Sequence, residues 1–314
     1  MSKQLPEGLF RLSFKALGTQ CEVQFQAPSI KAAKDFRKEA LEWLRNFENR
    51  WSRFKPDSFL SEINQQAGRD PIPYQEDDRE IFQLCEYVHK LSRGLNDPTS
   101  LPLTSLWDQA GRLDRLPDES EIKEAQRLVS WPEVEWANGT IRLPETGMAL
   151  EIGGFGKEFA VDRLIKLAQK NDIINCLVDL GRDVAATGEP PHGQAWVVGI
   201  EDARKENTPA YRLAFSNRGL ATSGNGRRFR TIAGKKFGHI LDPRTGSPAE
   251  NDLLTVSALA NDCLTAGQIS TTACILGSKE GMALIENSYG IEAILQTARD
   301  PQYSSRIHHH LLAS

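Results

Sequence analysis

Leu150-Glu151-Ile152-Gly153-Gly154-Phe155-Gly156-Lys157, running on into Glu158-Phe159-Ala160-Val161-Asp162-Arg163-Leu164-Ile165, is the stretch around which the rest of the chain arranges itself. The apolar run from Met148 to Ile152 predicts a buried strand. The three glycines predict a turn where backbone can come close to a ligand, and Val161, Leu164, Ile165 and Ala168 recur at helical spacing behind it. Strand, glycine turn and helix start outline an anion site. A first helical turn presents unpaired N–H groups and the positive end of the dipole, and Lys157 stands where an ammonium could reach a phosphate oxygen. The same residues also fit a tight strand-to-helix connection with a solvated lysine. They are neither a P-loop, which needs Ser or Thr after the lysine, nor G-x-G-x-x-G.

Outward from that stretch, 314 residues suffice for a substantial core, and 39% hydrophobic with 25% charged residues is an ordinary soluble composition. A formal net charge of −4 and the lack of a long Lys/Arg run argue against nucleic-acid binding through a basic face. The five cysteines, Cys21, Cys85, Cys176, Cys263 and Cys274, are scattered and never spaced C-x-x-C, so they predict buried small apolar residues rather than zinc ligands or disulfides. The opening Met1-Ser2-Lys3-Gln4-Leu5-Pro6-Glu7 carries no apolar leader and no apolar run is long enough for a membrane span, which gives a cytoplasmic chain as the expectation. His308-His309-His310 do not share one face of a helix or strand and predict no structured metal site.

The alternation of Phe10, Leu12 and Phe14, and of Cys21, Val23 and Phe25, predicts a hairpin closed through Ala16 to Gln20. Pro28-Ser29 opens an amphipathic helix with Phe36, Ala40, Trp43, Leu44, Phe47 and Trp51 on one stripe. Ser58 is a candidate N-cap for a short helix carrying Leu60 and Ile63; Ile81 to Leu91 and Leu101 to Trp107 predict two more, and Gly111 to Asn138 reads as peripheral. Strands come next at Ile173–Leu180, Trp196–Ile200, Leu253–Leu259 and Ile291–Gln296, with helices at Leu264–Leu276 and Lys279–Glu286. Thr222-Ser223-Gly224 reads as a turn before the basic segment Arg227-Arg228-Phe229-Arg230. No repeat or low-complexity linker divides the chain, so residues 1–314 are read as a single domain.

Six turns carry small polar or charged residues: Leu17-Gly18-Thr19, Asn96-Asp97-Pro98-Thr99, Gly153 to Lys157, Gly181-Arg182-Asp183, Thr222-Ser223-Gly224 and His239-Ile240-Leu241-Asp242-Pro243-Arg244-Thr245-Gly246. With Ser52-Arg53-Phe54-Lys55-Pro56-Asp57-Ser58-Phe59-Leu60-Ser61-Glu62-Ile63-Asn64, and in this order, they resemble the ApbE family, flavin transferases that move FMN from FAD onto a protein threonine. The resemblance runs from about Leu17 to about Leu295.

It implies an α/β (α+β) fold, a mixed sheet with flanking helices and FAD in a central cleft, and a magnesium-dependent transfer to a threonine of an acceptor flavoprotein. By position, Leu17, Phe54, Asn96 and Asp97 would line the flavin and ribityl side, while Lys157, Asp162, Ser223, His239 and Ile240 would hold other parts of FAD. Mg2+ would sit on the diphosphate, bound by the Gly156 carbonyl and the Thr271 hydroxyl, with Lys157 and Thr271 serving the reaction. Relatives of this family are often exported. A degenerate flavin binder without transfer, and an FAD pyrophosphatase giving FMN and AMP, are the alternative activities.

Three departures bear on the chemistry. Where the family has Ala-Asp-x-x-[Ser/Ala]-Thr, this chain has Ala266-Gly267-Gln268-Ile269-Ser270-Thr271, so the aspartate expected on magnesium is a glycine. Glu158 stands where the family has glycine; it either supplies the missing carboxylate from the other side or is a solvated glutamate favoured by the helix dipole. Arg182 replaces the second glycine of Gly-Gly-Asp, which puts a side chain where backbone should approach a ligand or makes a new phosphate contact.

Overall fold

The structure is a computed structural model that describes residues 3–4, 8–191, 193, 195–205, 207–226 and 228–312. Most of the opening stretch read for a leader, and Arg227 of the basic segment, lie outside the described residues.

One nine-stranded sheet forms the frame. Its strands are β1 (Lys3–Gln4), β2 (Leu9–Ala16), β3 (Thr19–Gln26), β4 (Cys176–Leu180), β5 (Val184–Thr187), β6 (Arg218–Gly224), β7 (Leu253–Ala260), β8 (Glu292–Thr297) and β9 (Gln302–Tyr303), and they lie side by side in chain order. The helices are α1 (Ile30–Trp51), α2 (Phe59–Gln65), α3 (Arg79–Leu91), α4 (Leu101–Leu113), α5 (Glu119–Arg127), α6 (Gly156–Lys170), α7 (Cys263–Leu276) and α8 (Ser278–Glu286). The large sheet with flanking helices is as expected. Every strand pair in that sheet is antiparallel, where both directions were expected.

Period-two alternation sorts the sheet's side chains onto two faces. Val178, Ala185, Ala221, Val256, Ala258 and Leu295 face α1, α6, α7 and α8, while Leu177, Val184, Leu220, Leu259 and Ile294 face a separate hairpin, Trp196–Glu201 with Pro209–Phe215. A second core, with Phe59, Phe82, Trp131, Leu150 and Phe155, fills the space beneath α2, α3 and the end of α1. Leu17 and Trp43 pack against both cores. Ser58 caps α2 as read, its hydroxyl accepting from Ser61 N–H, and the Ser29 hydroxyl caps α1 in the same way by accepting from Ala32 N–H. All five cysteines are buried and free. Among the described residues no helix is long and apolar enough to cross a membrane.

Three readings are corrected. Met148–Ile152 is extended and alternately buried but is not a strand, having one isolated parallel bridge, Ser100 to Ala149. The Asn64 side chain takes the place of a neighbouring strand, its amide donating to Leu150 O (2.9 Å) and accepting from Leu150 N–H (2.7 Å). Thr222-Ser223-Gly224 is not a turn but the end of β6, paired with β7. The 111–138 region is not wholly peripheral: Trp131 is 1% exposed in the second core, and its indole donates to Glu86 (2.7 Å).

Candidate active site

The site is built where several strand tips meet the ends of two helices. The β2–β3 hairpin turns on Leu17-Gly18, both at positive φ (51° and 70°), the handedness that matches the twist of a two-residue hairpin. The β4–β5 hairpin turns on Gly181-Arg182 (73° and 79°), and a Cβ on Gly181 would lie 2.5 Å from the Thr19 hydroxyl, so the two tips are in contact. Val184 pairs with Leu220, and β6 therefore runs on past the second tip as Ala221–Gly224. Asp183, Thr19 and Ser223 thus share one end of the sheet.

α6 begins at that end. Lys157, in its first turn, forms an ion pair with Asp183, which is 6% exposed. Burial works against the Lys157 charge, yet Glu158 and Asp183 outweigh it and hold the ammonium above its ordinary value. Burial likewise pushes the Asp183 carboxyl up, with Lys157 and Arg228 opposing. Glu158 is not the solvated residue of the alternative reading. It is 8% exposed, its Oε2 has no hydrogen-bond partner, and burial with Asp183 beside it pushes its carboxyl up to about 8. Its side chain lies against Gly267 of α7, where an added Cβ would sit 2.6 Å from Glu158 Cγ and 2.9 Å from Oε1.

Thr271 is one helical turn beyond Gly267 and on the same face of α7. Its hydroxyl and that of Ser270 each lie 2.8 Å from the Ser223 hydroxyl, and Ser270 also donates to Gly267 O. Gln268, fully buried, links two motifs: its amide donates to Gly154 O (3.0 Å) and its oxygen accepts from the Asn96 side chain. Gly154 makes room for this link, since a Cβ there would come within 3.0 Å of Asn96 Oδ1.

His239 comes directly after the short strand Lys235–Gly238, and its Nδ1 lies 3.1 Å from Arg228 O. Burial, with the charges of Arg228, Arg230 and Lys157 adding, pushes this imidazole down to about 4. It is therefore neutral near neutral pH, with Nδ1–H donating to the carbonyl and Nε2 left as an acceptor. Ile240 is buried, its N–H donating to Asn225 and its carbonyl accepting from Ala249. The rest of the His239–Gly246 turn docks on α4 through Trp107 Nε1–H donating to Gly246 O at 2.9 Å.

Not every expected residue offers its polar atoms to a ligand. Asp97 accepts from Thr99 N–H (2.8 Å), the Thr99 hydroxyl (2.6 Å) and Trp131 N–H (3.1 Å). It fixes the loop that presents Asn96, and those bonds, with one from His89, keep it below its ordinary value despite burial. Asp162 accepts from Cys263 N–H and Leu264 N–H, both 2.9 Å, and so joins α6 to the start of α7. Phe54 is 81% exposed, with the Arg53 guanidinium 4.8 Å from its ring centre; Arg53 in turn pairs with Glu151. Arg182 pairs with Glu201 at 3.2 Å on the separate hairpin.

Asp183, Gln268 and Arg228 are site residues that the sequence reading did not assign. Asp183 was visible as the acid ending a glycine turn, and Gln268 as a lone amide in an apolar helix; Arg228 had only its place in a basic segment. Together the residues form an anion-receptive end of α6, edged by Lys157, Arg228 and a neutral histidine. The Ser223, Ser270 and Thr271 hydroxyls cluster one turn along α7 from Gly267, the residue that Glu158 packs against. Among the described residues no three His, Cys, Asp or Glu side chains gather as a metal cluster.

The ApbE family profile matches residues 17–295. The FAD:protein FMN transferase of Vibrio cholerae is 25% identical over 297 residues, covering 93% of this chain and 89% of the relative. That of Treponema pallidum is 28% identical over 301 residues, covering 88% and 82%. The crystal structure of the ApbE protein of Thermotoga maritima superposes with a TM-score of 0.87 at 24% identity, covering 97% of this chain and all of that one. The Vibrio cholerae flavin transferase ApbE superposes at 0.84 and 23% identity, covering 99% and 100%. With its fold, its ordered turns and a profile match over most of its length, this chain belongs to the ApbE family.

Proposed function

We propose that this chain is an FAD:protein FMN transferase, taking FAD as substrate and placing FMN on a threonine hydroxyl of an acceptor protein with release of AMP. The observation that carries the reading is the meeting of Lys157, Asp183 and His239 at the first turn of α6, in a chain whose relatives carry that activity's name.

The chemistry suits such a site. A threonine Oγ–P bond forms as the diphosphate bridge breaks, and AMP leaves with the bridging oxygen. The α6 N-terminus and Lys157 favour the negative charge of the diphosphate, and Asp183 holds the ammonium in place. His239 Nε2, neutral and unprotonated, is left as a hydrogen-bond acceptor that could orient the attacking hydroxyl. Asn96 and the apolar Leu17 and Ile240 would flank the flavin, with Phe54 as an exposed aromatic lid over it.

The residues also fit a magnesium ion. Glu158 Oε2 is buried without a partner, and the Thr271 hydroxyl and the Gly156 carbonyl are hard oxygen donors of the kind Mg2+ takes. The ion would supply positive charge to the diphosphate oxygens.

Incubating the pure protein with FAD, Mg2+ and a threonine-bearing acceptor domain tests the reading. AMP together with covalently flavinylated acceptor is the expected result. AMP with free FMN would instead mean hydrolysis, and intact bound FAD without AMP a flavin binder, so either outcome refutes transfer.

A further inference from the structure

Gly267 and Glu158 depart from the family pattern separately in sequence, but in space they are one feature. Resting on the reading above, we infer that the carboxylate of the cation site has moved from α7 to α6: Glu158 reaches across the helix pair and occupies the volume that an acidic side chain at position 267 would fill. A Cβ at 267 would stand 2.6 Å from Glu158 Cγ and 2.9 Å from Oε1, so the two side chains exclude one another. Either helix can deliver the acid, and only one can do so at a time.

Packing alone does not account for a glutamate there. An apolar side chain would fill the same volume without desolvating a carboxylate, which is costly unless the group is paired. Glu158 is 8% exposed and its Oε2 has no partner, while the neighbouring cation, Lys157, is committed to Asp183. The carboxylate lies against the face of α7 whose next turn carries Thr271, with the Ser223 and Ser270 hydroxyls adjoining. A buried carboxyl oxygen without a partner, set one helical turn from a cluster of hydroxyl oxygens, is a half-built site for a hard divalent cation.

Mn2+ added alone to the full chain, with free ion followed by electron paramagnetic resonance, measures the site without flavin turnover. Glu158→Gln keeps the volume and removes the oxygen that can ionise onto the cation, and should weaken Mn2+ binding by about tenfold or more, at least what losing an outer-shell partner costs, with no fall in melting temperature. Gly267→Asp alone should melt lower than wild type, because the new side chain collides with Glu158. Glu158→Gly with Gly267→Asp should return Mn2+ affinity to within about threefold of wild type, the family's arrangement having been restored. The inference is overturned if wild type takes up no Mn2+, if Glu158→Gln binds it as wild type does, or if the double variant melts like wild type yet stays weak. Glu158→Gln decides the matter even where the double variant does not fold. Intact Mn2+ results with no FMN transfer would remove the transferase reading and leave the relocated carboxylate standing.

Discussion

Replacing Asp162 separates a residue that holds the fold from one that holds the ligand. Its two carboxylate oxygens each accept one backbone N–H, from Cys263 and Leu264, at 2.9 Å. These groups open α7, where the helix has no partners of its own to offer, and both residues are buried, 0% and 8% exposed. Orphaning a buried N–H costs about 1–3 kcal/mol, so Asp162→Ala should lose about 3 kcal/mol for the two. For a chain of this size, with unfolding entropy scaling with length, that corresponds to a melting temperature lower by roughly 4–5 °C. Asn retains one acceptor oxygen and should lose about half as much near neutral pH.

The pH dependence fixes the sign. Burial pushes Asp162 up to about 6 from an ordinary 3.8, so the folded state holds that proton more tightly than the unfolded chain does. The stability linked to this group is complete below the ordinary value and is lost as pH rises through about 6. Asparagine does not titrate. The deficit of Asp162→Asn relative to wild type should therefore widen as pH falls from neutrality to the ordinary carboxylate range, by roughly two units at 1.36 kcal/mol each, about 3 kcal/mol. Urea unfolding of both proteins across that range measures it. A deficit flat in pH, or an Asp162→Ala protein that melts with wild type while losing FAD affinity, refutes the reasoning and puts the carboxylate on the ligand.

Asn64→Ala should cost about 2 kcal/mol by stranding the buried N–H and C=O of Leu150; hydrogen exchange at the Leu150 amide should speed up, and unchanged protection there would contradict the role given to the amide. Arg182→Gly should leave stability level or slightly raised, because relieving a left-handed arginine gains about 1 kcal/mol while the half-exposed pair with Glu201 is worth less than that. FAD affinity measured by flavin fluorescence should not change, and a tenfold loss would mean that the guanidinium reaches a phosphate after all.

What the sequence disclosed and what it hid divide along a physical line. α1 was legible because Phe36, Ala40, Leu44, Phe47 and Trp51 must repeat at 3.6 residues to bury one stripe, a constraint written locally. Met148–Ile152 was misread as a strand because its pattern is that of one, while the partner that replaces a neighbouring strand is a single side chain, Asn64, 86 residues away. β6 lost its end because Thr222, Ser223 and Gly224 have turn composition, and only the pairing of Ser223 with Val256 makes them strand. Trp131 looked peripheral because the bonds from its N–H and indole reach to Asp97 and Glu86 on other elements.

The site obeys the same division. Each motif could be read because a backbone demand, such as the left-handed pair Gly181-Arg182, leaves its mark in two or three consecutive residues. Contacts between motifs leave no such mark, so Asn96 to Gln268 to Gly154 was invisible, as was the pairing of Lys157 with Asp183. Glu158 and Gly267 are a case in point. Taken one at a time, the first is an anomalous acid and the second a lost ligand; with 2.6 Å between Glu158 Cγ and the Cβ that Gly267 lacks, each is the condition for the other. A residue missing from a motif counts as a lost function only after the space it vacated has been found empty, and here that space holds a carboxylate.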